Sequence, residues 1–314
     1  TPESVFRNRR RVLKGIGVIG GMMAAGMLSP GMALGGHDER SSDDPSAVLY
    51  PVAGNKSFTL DRELTPEKFA THYNNYYEFG SQKEIFQLAQ ELPIRPWTVT
   101  LDGLVEKETI VGIDELLAKM PLEERLYRHR CVEAWSIAVP YSGFPLQALV
   151  DLARPLGSAK YIVMQAFEKP EIAHGQKQFW YPWPYIEGLT IEEAANDLAF
   201  IATGYYGKPI PKQNGAPLRL AVPWKYGFKH VKGLIRFTFS EKRPRSFWEV
   251  IQGSEYGFWA NVNPGVPHPR WSQETEKFYG PHGAERVPTQ LFNGYGKYVA
   301  ALYTNVDKRE LLYM

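Results

Sequence analysis

Apolar and polar residues alternate in several short segments, and this pattern favours a sheet-rich fold over a helical bundle. Alternation over 97–105 predicts a strand that runs into a turn, and alternation over 124–132 predicts a second strand that ends near a cysteine. Three further apolar segments, at 160–167, 218–225 and 230–239, have the length of strands. The pattern therefore predicts at least five short strands.

Helical spacing occurs in fewer places. It predicts short helices over 113–120 and 144–153, and a helix that begins within 190–196. The last one has Thr190 and Glu193 at the spacing of a capping box. Strands and helices mix irregularly, without repeats or heptads, so we predict a single α+β domain with mixed sheets and long ordered loops.

Composition and charge limit the class of protein further. The 24 prolines and 28 glycines agree with many short elements joined by turns. Residues 1–35 hold five Lys and Arg residues against one Glu, a net charge of +4. The remaining residues hold 31 basic against 33 acidic side chains, a net charge of −2. The body of the chain therefore offers no electrostatic argument for binding nucleic acid.

The first 35 residues have the features of an export signal. A basic segment, N-R-R-R-V-L-K at 8–14, precedes an apolar, glycine-rich run and small residues near Ala33 and Gly35. Arg9 and Arg10 resemble the pair of a twin-arginine signal, whereas the run is short and glycine-diluted for a transmembrane anchor. We therefore expect a periplasmic protein.

The export route and the chain pattern together suggest three segments. We predict a signal peptide over 1–35, an N-terminal arm with little regular structure over 36–70, and a catalytic domain over 71–314. Because the twin-arginine route carries folded proteins, it suits proteins whose cofactor is inserted before export. The leader thus favours a redox cofactor.

Cys131 is the single cysteine of the chain. It cannot form an internal disulfide, so it is either buried and inert or bound to a metal. Zinc and iron–sulfur sites need several Cys or His ligands at short spacing, and the chain has one Cys and seven scattered His. A nucleophilic pair with His129 or His230 stays open. Arg128 and Arg130, which flank His129, are as compatible with the surface as with a cofactor.

Long segments around Cys131 match one family. They resemble the catalytic subunits of bacterial periplasmic protein-methionine-sulfoxide reductases, molybdopterin enzymes with the sulfite-oxidase fold. The resemblance runs almost from end to end of the chain. The matching segments are Y-N-N-Y-Y-E-F-G (73–80), P-L-E-E-R-L-Y-R-H-R-C-V-E-A-W-S (121–136), G-F-P-L (143–146), Q-N-G-A-P-L-R-L-A-V-P-W-K-Y-G-F-K (213–229), E-Y-G-F-W-A-N-V-N-P (255–264), H-P-R-W-S-Q (268–273) and L-F-N-G-Y (291–295).

The resemblance implies a sulfite-oxidase-like fold and one molybdenum held by a single pterin dithiolene and by a protein thiolate. Cys131 matches the metal ligand. The positions that match cofactor-binding residues are Asn74, Tyr77, Glu78, Asn214, Arg219, His230, Val231 and Lys232. One position departs, because Ala166 stands where a threonine contact is expected.

The side chains at these positions suit such a cofactor. Arg219 can bind phosphate oxygens with two parallel hydrogen bonds, and Lys232 adds a point charge. Asn74, Asn214 and Glu78 offer acceptors and donors to a polar pterin edge.

The resemblance also implies a reaction and partners. We expect reduction of methionine sulfoxide residues in oxidised periplasmic proteins by oxygen-atom transfer. No G-x-G-x-x-G follows a strand, so we expect electrons to arrive from outside the chain. The resemblance implies that a membrane haem b subunit fed by quinols supplies them. We expect a monomer with a shallow cleft, whose rim candidates are Tyr141, Trp183, Trp259 and Trp271.

Two alternatives stay open. Sulfite oxidation on the same fold would need arginines beside the metal, whereas V-E-A-W at 132–135 follows the cysteine with an acidic and then apolar residues. The second alternative is a non-catalytic periplasmic binding protein in which Cys131 is buried and inert. Glu133 is a candidate proton donor.

Overall fold

Two sheets organise residues 44–306, the part of the chain that the computed structural model describes. The strands are β1 (Thr98–Gly103), β2 (Thr109–Gly112), β3 (Glu123–Cys131), β4 (Trp135–Pro145), β5 (Tyr161–Ala166), β6 (Ile186–Thr190), β7 (Phe200–Tyr205), β8 (Lys208–Pro209), β9 (Arg219–Ala221), β10 (Leu234–Ser240), β11 (Thr275–Gly280) and β12 (Gly283–Pro288). One sheet has the order β2-β1-β10-β5-β6 and the other β12-β11-β4-β7-β8, with β3 paired to β4 and β9 paired to β7.

Both sheets are mixed. The β1–β10 and β11–β4 pairs are parallel, and the other pairs along the two sheets are antiparallel. The helices are short: α1 (Glu67–His72), α2 (Phe86–Ala89), α3 (Ile113–Lys119), α4 (Leu146–Ala153), α5 (Ile191–Ala194), α6 (Phe247–Gln252) and α7 (Gly296–Val299), with 3₁₀ turns at 45–49, 174–177, 212–214, 227–229, 291–294 and 300–303. The prediction of an α+β fold with mixed sheets is confirmed.

The β3–β4 hairpin is the longest antiparallel pair and forms the centre of its sheet. Along β4 the residues are buried on both faces as far as Phe144, because neighbouring strands and packed loops cover both sides. The pairing begins at Glu123 with Gly143 and ends at Cys131 with Trp135. The hairpin therefore places the cysteine at the end of a strand, next to a turn of three residues.

Several predicted elements are present with shifted ends. The helix predicted over 144–153 begins at Leu146, since Phe144 and Pro145 still belong to β4. The predicted strand 218–225 is regular only over Arg219–Ala221. The capping box of Thr190 and Glu193 is confirmed, with both reciprocal hydrogen bonds present.

The segment before α1 packs onto the sheet that contains β4. The backbone N–H of Thr65 donates to the carbonyl of Ala138 at 2.8 Å, and the Thr65 hydroxyl donates to the carbonyl of Tyr279 at 2.6 Å. The predicted signal peptide, residues 1–35, lies outside the described residues. Within residues 44–306, no helix has both the length and the apolar character needed to cross a bilayer.

Candidate functional site

Cys131 is the last residue of β3, and the three-residue turn 132–134 that follows it, which we call the thiol turn, is fixed by side-chain hydrogen bonds. The carbonyl of Cys131 accepts a hydrogen bond from the Arg130 guanidinium. The next carbonyl, that of Val132, accepts from Nε1 of Trp271 and from Nε2 of Gln273, both at 2.8 Å. Three side-chain donors therefore fix two successive peptide groups, and with them the direction of the thiol.

The thiol of Cys131 is surrounded by a small polar group of side chains. Nδ2 of Asn75 lies 3.5 Å from Sγ, and Oε2 of Glu133 lies 3.7 Å from it. Lys83 donates through Nζ to both Asn75 Oδ1 and Glu133 Oε2. Nε1 of Trp135 donates to the same carboxylate oxygen at 3.0 Å. We call Asn75, Lys83 and Glu133 the thiol cluster.

The charges of the thiol cluster set the ionisation of the site. Burial, with Glu133 adding, raises the pKa of the Cys131 thiol to about 12. Burial alone would also raise the pKa of the Glu133 carboxyl, but the Lys83 charge and the hydrogen bonds from Lys83, Trp135 and Asn75 hold that pKa below its ordinary value. Without a cation at the sulfur, Cys131 stays a neutral thiol, and a bound metal ion would release its proton.

A second polar region lies where the Y-N-N motif meets β9 and the segment before β10. Among the described residues, the protein provides no hydrogen-bond partner for several buried polar atoms in this region. They are Asn74 Oδ1, Tyr76 Oη, His129 Nδ1, Asn214 Oδ1, Arg219 Nη2 and His230 Nδ1. Buried polar groups are normally paired, so this concentration indicates a place where a polar ligand binds. We call it the polar pocket.

Two asparagines share one anchor in the polar pocket. Nδ2 of Asn74 and Nδ2 of Asn214 both donate to the carbonyl of Ala70, at 3.3 and 2.9 Å. The amide oxygens of both side chains are therefore left as acceptors for a bound group. Arg219 donates through Nη1 to the carbonyl of Asn214 at 3.0 Å, which leaves Nη2 without a protein partner among residues 44–306.

The backbone around Arg219 approaches its neighbours closely. Arg219 and Lys232 face each other in an isolated antiparallel bridge. Gly215, at a φ of 106°, lies beneath both side chains, and a Cβ atom there would come within 2.9 Å of the Lys232 side chain. Glycine at this position therefore allows the arginine and the lysine to sit side by side.

The cationic side of the polar pocket is incompletely neutralised. Burial and the neighbouring Arg219 lower the pKa of Lys232 to about 7. Burial raises the pKa of Glu78 to about 7, although Lys232 opposes this change. An arginine and a lysine that disfavour each other's charge would be stabilised by a bound anion.

The other expected cofactor residues have more limited roles. Tyr77 is half-buried, and its ring packs edge-on against Trp248 with centroids 4.9 Å apart. Nε2 of His230 bonds to the carbonyl of Val222 at 3.0 Å, which leaves Nδ1 as the unpaired nitrogen. The backbone N–H of Val231 donates to the carbonyl of Lys229, so it is already paired.

Ala166, where a threonine was expected, is fully buried at the end of β5. Its backbone N–H donates to the carbonyl of Tyr185 at 3.0 Å. The position therefore supplies neither a hydroxyl nor a free N–H to a ligand.

Comparison with known protein families identifies the family of the chain. The sequence profile of the oxidoreductase molybdopterin binding domain matches residues 87–248, just over half of the 314 residues. The chain belongs to this family. The matched range contains Cys131, Arg219 and Lys232, whereas the Y-N-N motif precedes it.

Among solved structures, the chain is similar to the sulfane dehydrogenase SoxCD from Paracoccus pantotrophus, with 18% sequence identity and a TM-score of 0.48. The alignment covers 69% of this chain and 57% of that chain. The chain thus spans less than two thirds of the length of this relative.

The residues around Cys131 and those of the polar pocket together suit the molybdopterin cofactor of the family. Cys131 can supply one thiolate, and within residues 44–306 no group of three or more His, Cys, Asp or Glu residues could hold a metal by itself. A metal at Cys131 would therefore take its other ligands from the cofactor. The unpaired Arg219 Nη2 and Lys232 suit a phosphate, and the oxygens of Asn74 and Asn214 suit N–H donors of a pterin.

The structure corrects one expectation about the neighbourhood of Cys131. Arg128 and Arg130 are both buried, in ion pairs with Asp61 and Glu276, so neither is a surface residue. The residues beside the thiol that sequence reasoning missed are Asn75 and Lys83. The doubled asparagine was visible in the motif, whereas nothing in the sequence marked Lys83.

The four candidate rim aromatics divide into two pairs. Tyr141 and Trp259 are buried, so their assignment to the rim was wrong. Trp183 and Trp271 are partly exposed. Trp271 is the one beside the thiol turn, since it donates to Val132.

Proposed function

We propose that this molybdopterin oxidoreductase reduces methionine sulfoxide residues in oxidised proteins of the periplasm, with Cys131 as the protein ligand of the metal. The observation that carries the proposal is the carboxylate of Glu133, whose Oε2 atom lies 3.7 Å from Sγ of Cys131. A sulfoxide is a neutral substrate, so the Glu133 carboxylate does not repel it.

The sign of the charge beside the thiol separates neutral from anionic substrates. The Lys83 ammonium is the nearest cation in the thiol cluster, and it is already paired with Glu133. The pKa of Glu133 is lowered, so the carboxylate is ionised at neutral pH. An anion that approached Cys131 would meet a charge of its own sign in a partly dehydrated site, which is unfavourable.

The bound cofactor would supply the transfer of an oxygen atom and two electrons. The protein's part is to bind, orient and exclude water. Arg219 and Lys232 would hold the cofactor phosphate, and the amide oxygens of Asn74 and Asn214 would accept from the pterin edge. Arg130, which donates to the carbonyl of Cys131, would hold the backbone of the metal ligand in place.

The remaining parts of the proposal concern partners and location. A protein substrate needs a metal that is near the surface, and the partly exposed ring of Trp271 beside the thiol turn is suited to contact it. Electrons would come from a membrane haem b subunit fed by quinols. The twin-arginine pattern at Arg9 and Arg10 supports export to the periplasm.

Sulfite oxidation is the second candidate, and one observation favours it. Arg219 and Lys232 form a cationic pair in the polar pocket, and an anionic substrate needs such a pair. The cofactor phosphate competes for the same two side chains. Sulfite oxidation therefore requires that at least one of them face the substrate when the cofactor is bound.

Two steady-state assays on cofactor-loaded protein separate the candidates. One supplies a reduced viologen dye and a protein that contains oxidised methionines, and the other supplies sulfite with an artificial electron acceptor. We expect turnover in the first assay and little in the second. Turnover of sulfite without turnover of methionine sulfoxide would overturn the proposal, and absence of both with full molybdenum content would point to another substrate.

A further inference from the structure

We infer that Lys83 is a positioning residue of the metal site, which orients the Asn75 amide and the Glu133 carboxylate beside the Cys131 sulfur. The inference depends on molybdenum at Cys131 and not on the choice between sulfoxide and sulfite. It concerns residues that do not belong to the polar pocket.

The chain delivers Lys83 to the site by closing a loop. The backbone N–H of Asn74 donates to the carbonyl of Lys83 at 3.1 Å, and Tyr76 and Gly80 form a bridge within the same loop. Lys83 is thus tied to the residue that precedes Asn75. The loop therefore brings Lys83 close to Asn75, so the lysine ammonium can donate a hydrogen bond to the asparagine side chain.

Two aromatic rings restrict the position of the ammonium. Nζ of Lys83 lies 5.8 Å from the ring centroid of Tyr73 and 5.9 Å from that of Trp135. The side chain is only 21% exposed. A lysine held by two ring faces and by hydrogen bonds loses much of the freedom that surface lysines keep.

The hydrogen bonds of Lys83 determine which way the Asn75 amide faces. Lys83 donates to Asn75 Oδ1, so the amide oxygen is directed at the ammonium. The amide nitrogen must then point the other way, and it lies 3.5 Å from Sγ of Cys131 and 3.3 Å from Oε2 of Glu133. An N–H group aimed at a thiolate stabilises the sulfur's negative charge and weakens its donation to a metal.

Lys83 acts on Glu133 in the same way. Its charge compensates a carboxylate that would otherwise face the sulfur unpaired. Removing the ammonium would leave the amide free to rotate its oxygen toward the sulfur. It would also leave the Glu133 carboxylate beside the metal with the hydrogen bond from Trp135 but without a cation in the thiol cluster. Both changes favour the more oxidised metal, so they lower its reduction potential.

The test uses full-length, cofactor-loaded protein with Lys83→Met, Lys83→Gln and Lys83→Arg. Molybdenum content, the midpoint potential and the paramagnetic spectrum of the metal are measured, and none of these needs a substrate. Lys119, an exposed lysine on α3 that pairs with Glu115, provides the matched control Lys119→Met.

We expect Lys83→Met to keep the metal, to shift the midpoint potential to lower values and to change the spectrum. Its turnover number should fall about tenfold, the size of effect that groups behind a metal ligand commonly have. Lys83→Arg should restore most of the potential, because it keeps the charge, and Lys83→Gln should lie between Arg and Met.

A Lys83→Met protein with wild-type potential and spectrum at full metal content would overturn the inference. If Lys83→Met fails to fold or to hold metal, the Arg and Gln variants decide: equal potentials in the two would also overturn it. Failure of the methionine sulfoxide assay alone would leave these results unaffected, because the potentials are measured without substrate.

Discussion

Arg130 and Glu276 form an ion pair next to Cys131 and the thiol turn. Nε of Arg130 lies 2.8 Å from Oε2 of Glu276, and both side chains are almost fully buried. Glu276 also accepts from the Ser136 hydroxyl at 2.7 Å. The same guanidinium donates to Gln273 Oε1, and Gln273 in turn donates to Val132. The ion pair therefore belongs to a hydrogen-bond network that extends to the carbonyl groups of Cys131 and Val132.

Replacing one member of this pair should destabilise the fold strongly. In Arg130→Met the buried Glu276 carboxylate loses its closer cation and keeps only Arg62, whose Nη1 lies 3.5 Å from Oε1. We therefore expect a loss of about 3 kcal/mol in the free energy of unfolding. Urea unfolding followed by circular dichroism measures it. Arg154→Met removes the exposed pair with Glu106 and should cost less than about 1 kcal/mol. Equal losses of unfolding free energy in Arg130→Met and Arg154→Met would contradict the prediction that burial makes the Arg130 pair the more stabilising one.

Arg219 should govern retention of the cofactor. Arg219→Gln keeps a polar side chain but removes the charge and the second donor that a phosphate needs, so we expect purified protein with about a tenth or less of the wild-type molybdenum, in line with a loss of 1.5 to 3 kcal/mol per charged hydrogen bond. Elemental analysis gives the content. Arg236→Gln, on an exposed arginine of β10, is the matched control and should retain full metal. Full metal in Arg219→Gln would exclude the phosphate contact.

The structure also predicts a dependence of stability on pH that comes from His268. Its ring stacks on Trp271 with centroids 3.8 Å apart, and its Nδ1 accepts from the backbone N–H of Arg270. Burial, with the charge of Arg270 adding, lowers the pKa of His268 from 6.5 to about 4. The unfolded chain therefore binds a proton more readily than the folded one between these values.

The sign follows from this difference. The contribution of neutral His268 is complete above pH 6.5 and is lost as the pH falls from 6.5 to about 4. We expect His268→Phe, which keeps a ring on Trp271, to lose less stability than wild type between pH 7 and pH 4.5, measured by urea unfolding. His282→Asn, on an exposed histidine, should follow wild type. An unchanged pH dependence in His268→Phe would contradict the assignment.

The sequence predicted the fold class because local patterns are strong in some strands. The alternation that ends at Cys131 corresponds to β3, and the Thr190 capping box opens α5 as expected. It did not reveal β4, since a strand buried on both faces has no alternation to detect. The prediction therefore missed β4, the longest strand of the sheet that contains Cys131, for a physical reason.

The site was predictable to a similar extent. The resemblance selected Asn74, Asn214 and Arg219, and the structure brings all three to one pocket with unpaired polar atoms. Lys83 was not predictable, because its role depends on a loop closure that joins it to Asn74. The buried position of Arg130 was equally hidden, because its partner Glu276 is distant in sequence.

The most direct test of the central claim is X-ray absorption at the molybdenum edge, comparing wild-type protein with Cys131→Ser. If the Cys131 thiolate binds the metal, the variant should lose one sulfur from the metal's first shell and gain an oxygen or nitrogen neighbour at shorter distance. An unchanged number of sulfur neighbours in a variant that retains its molybdenum would show that Cys131 is not the ligand.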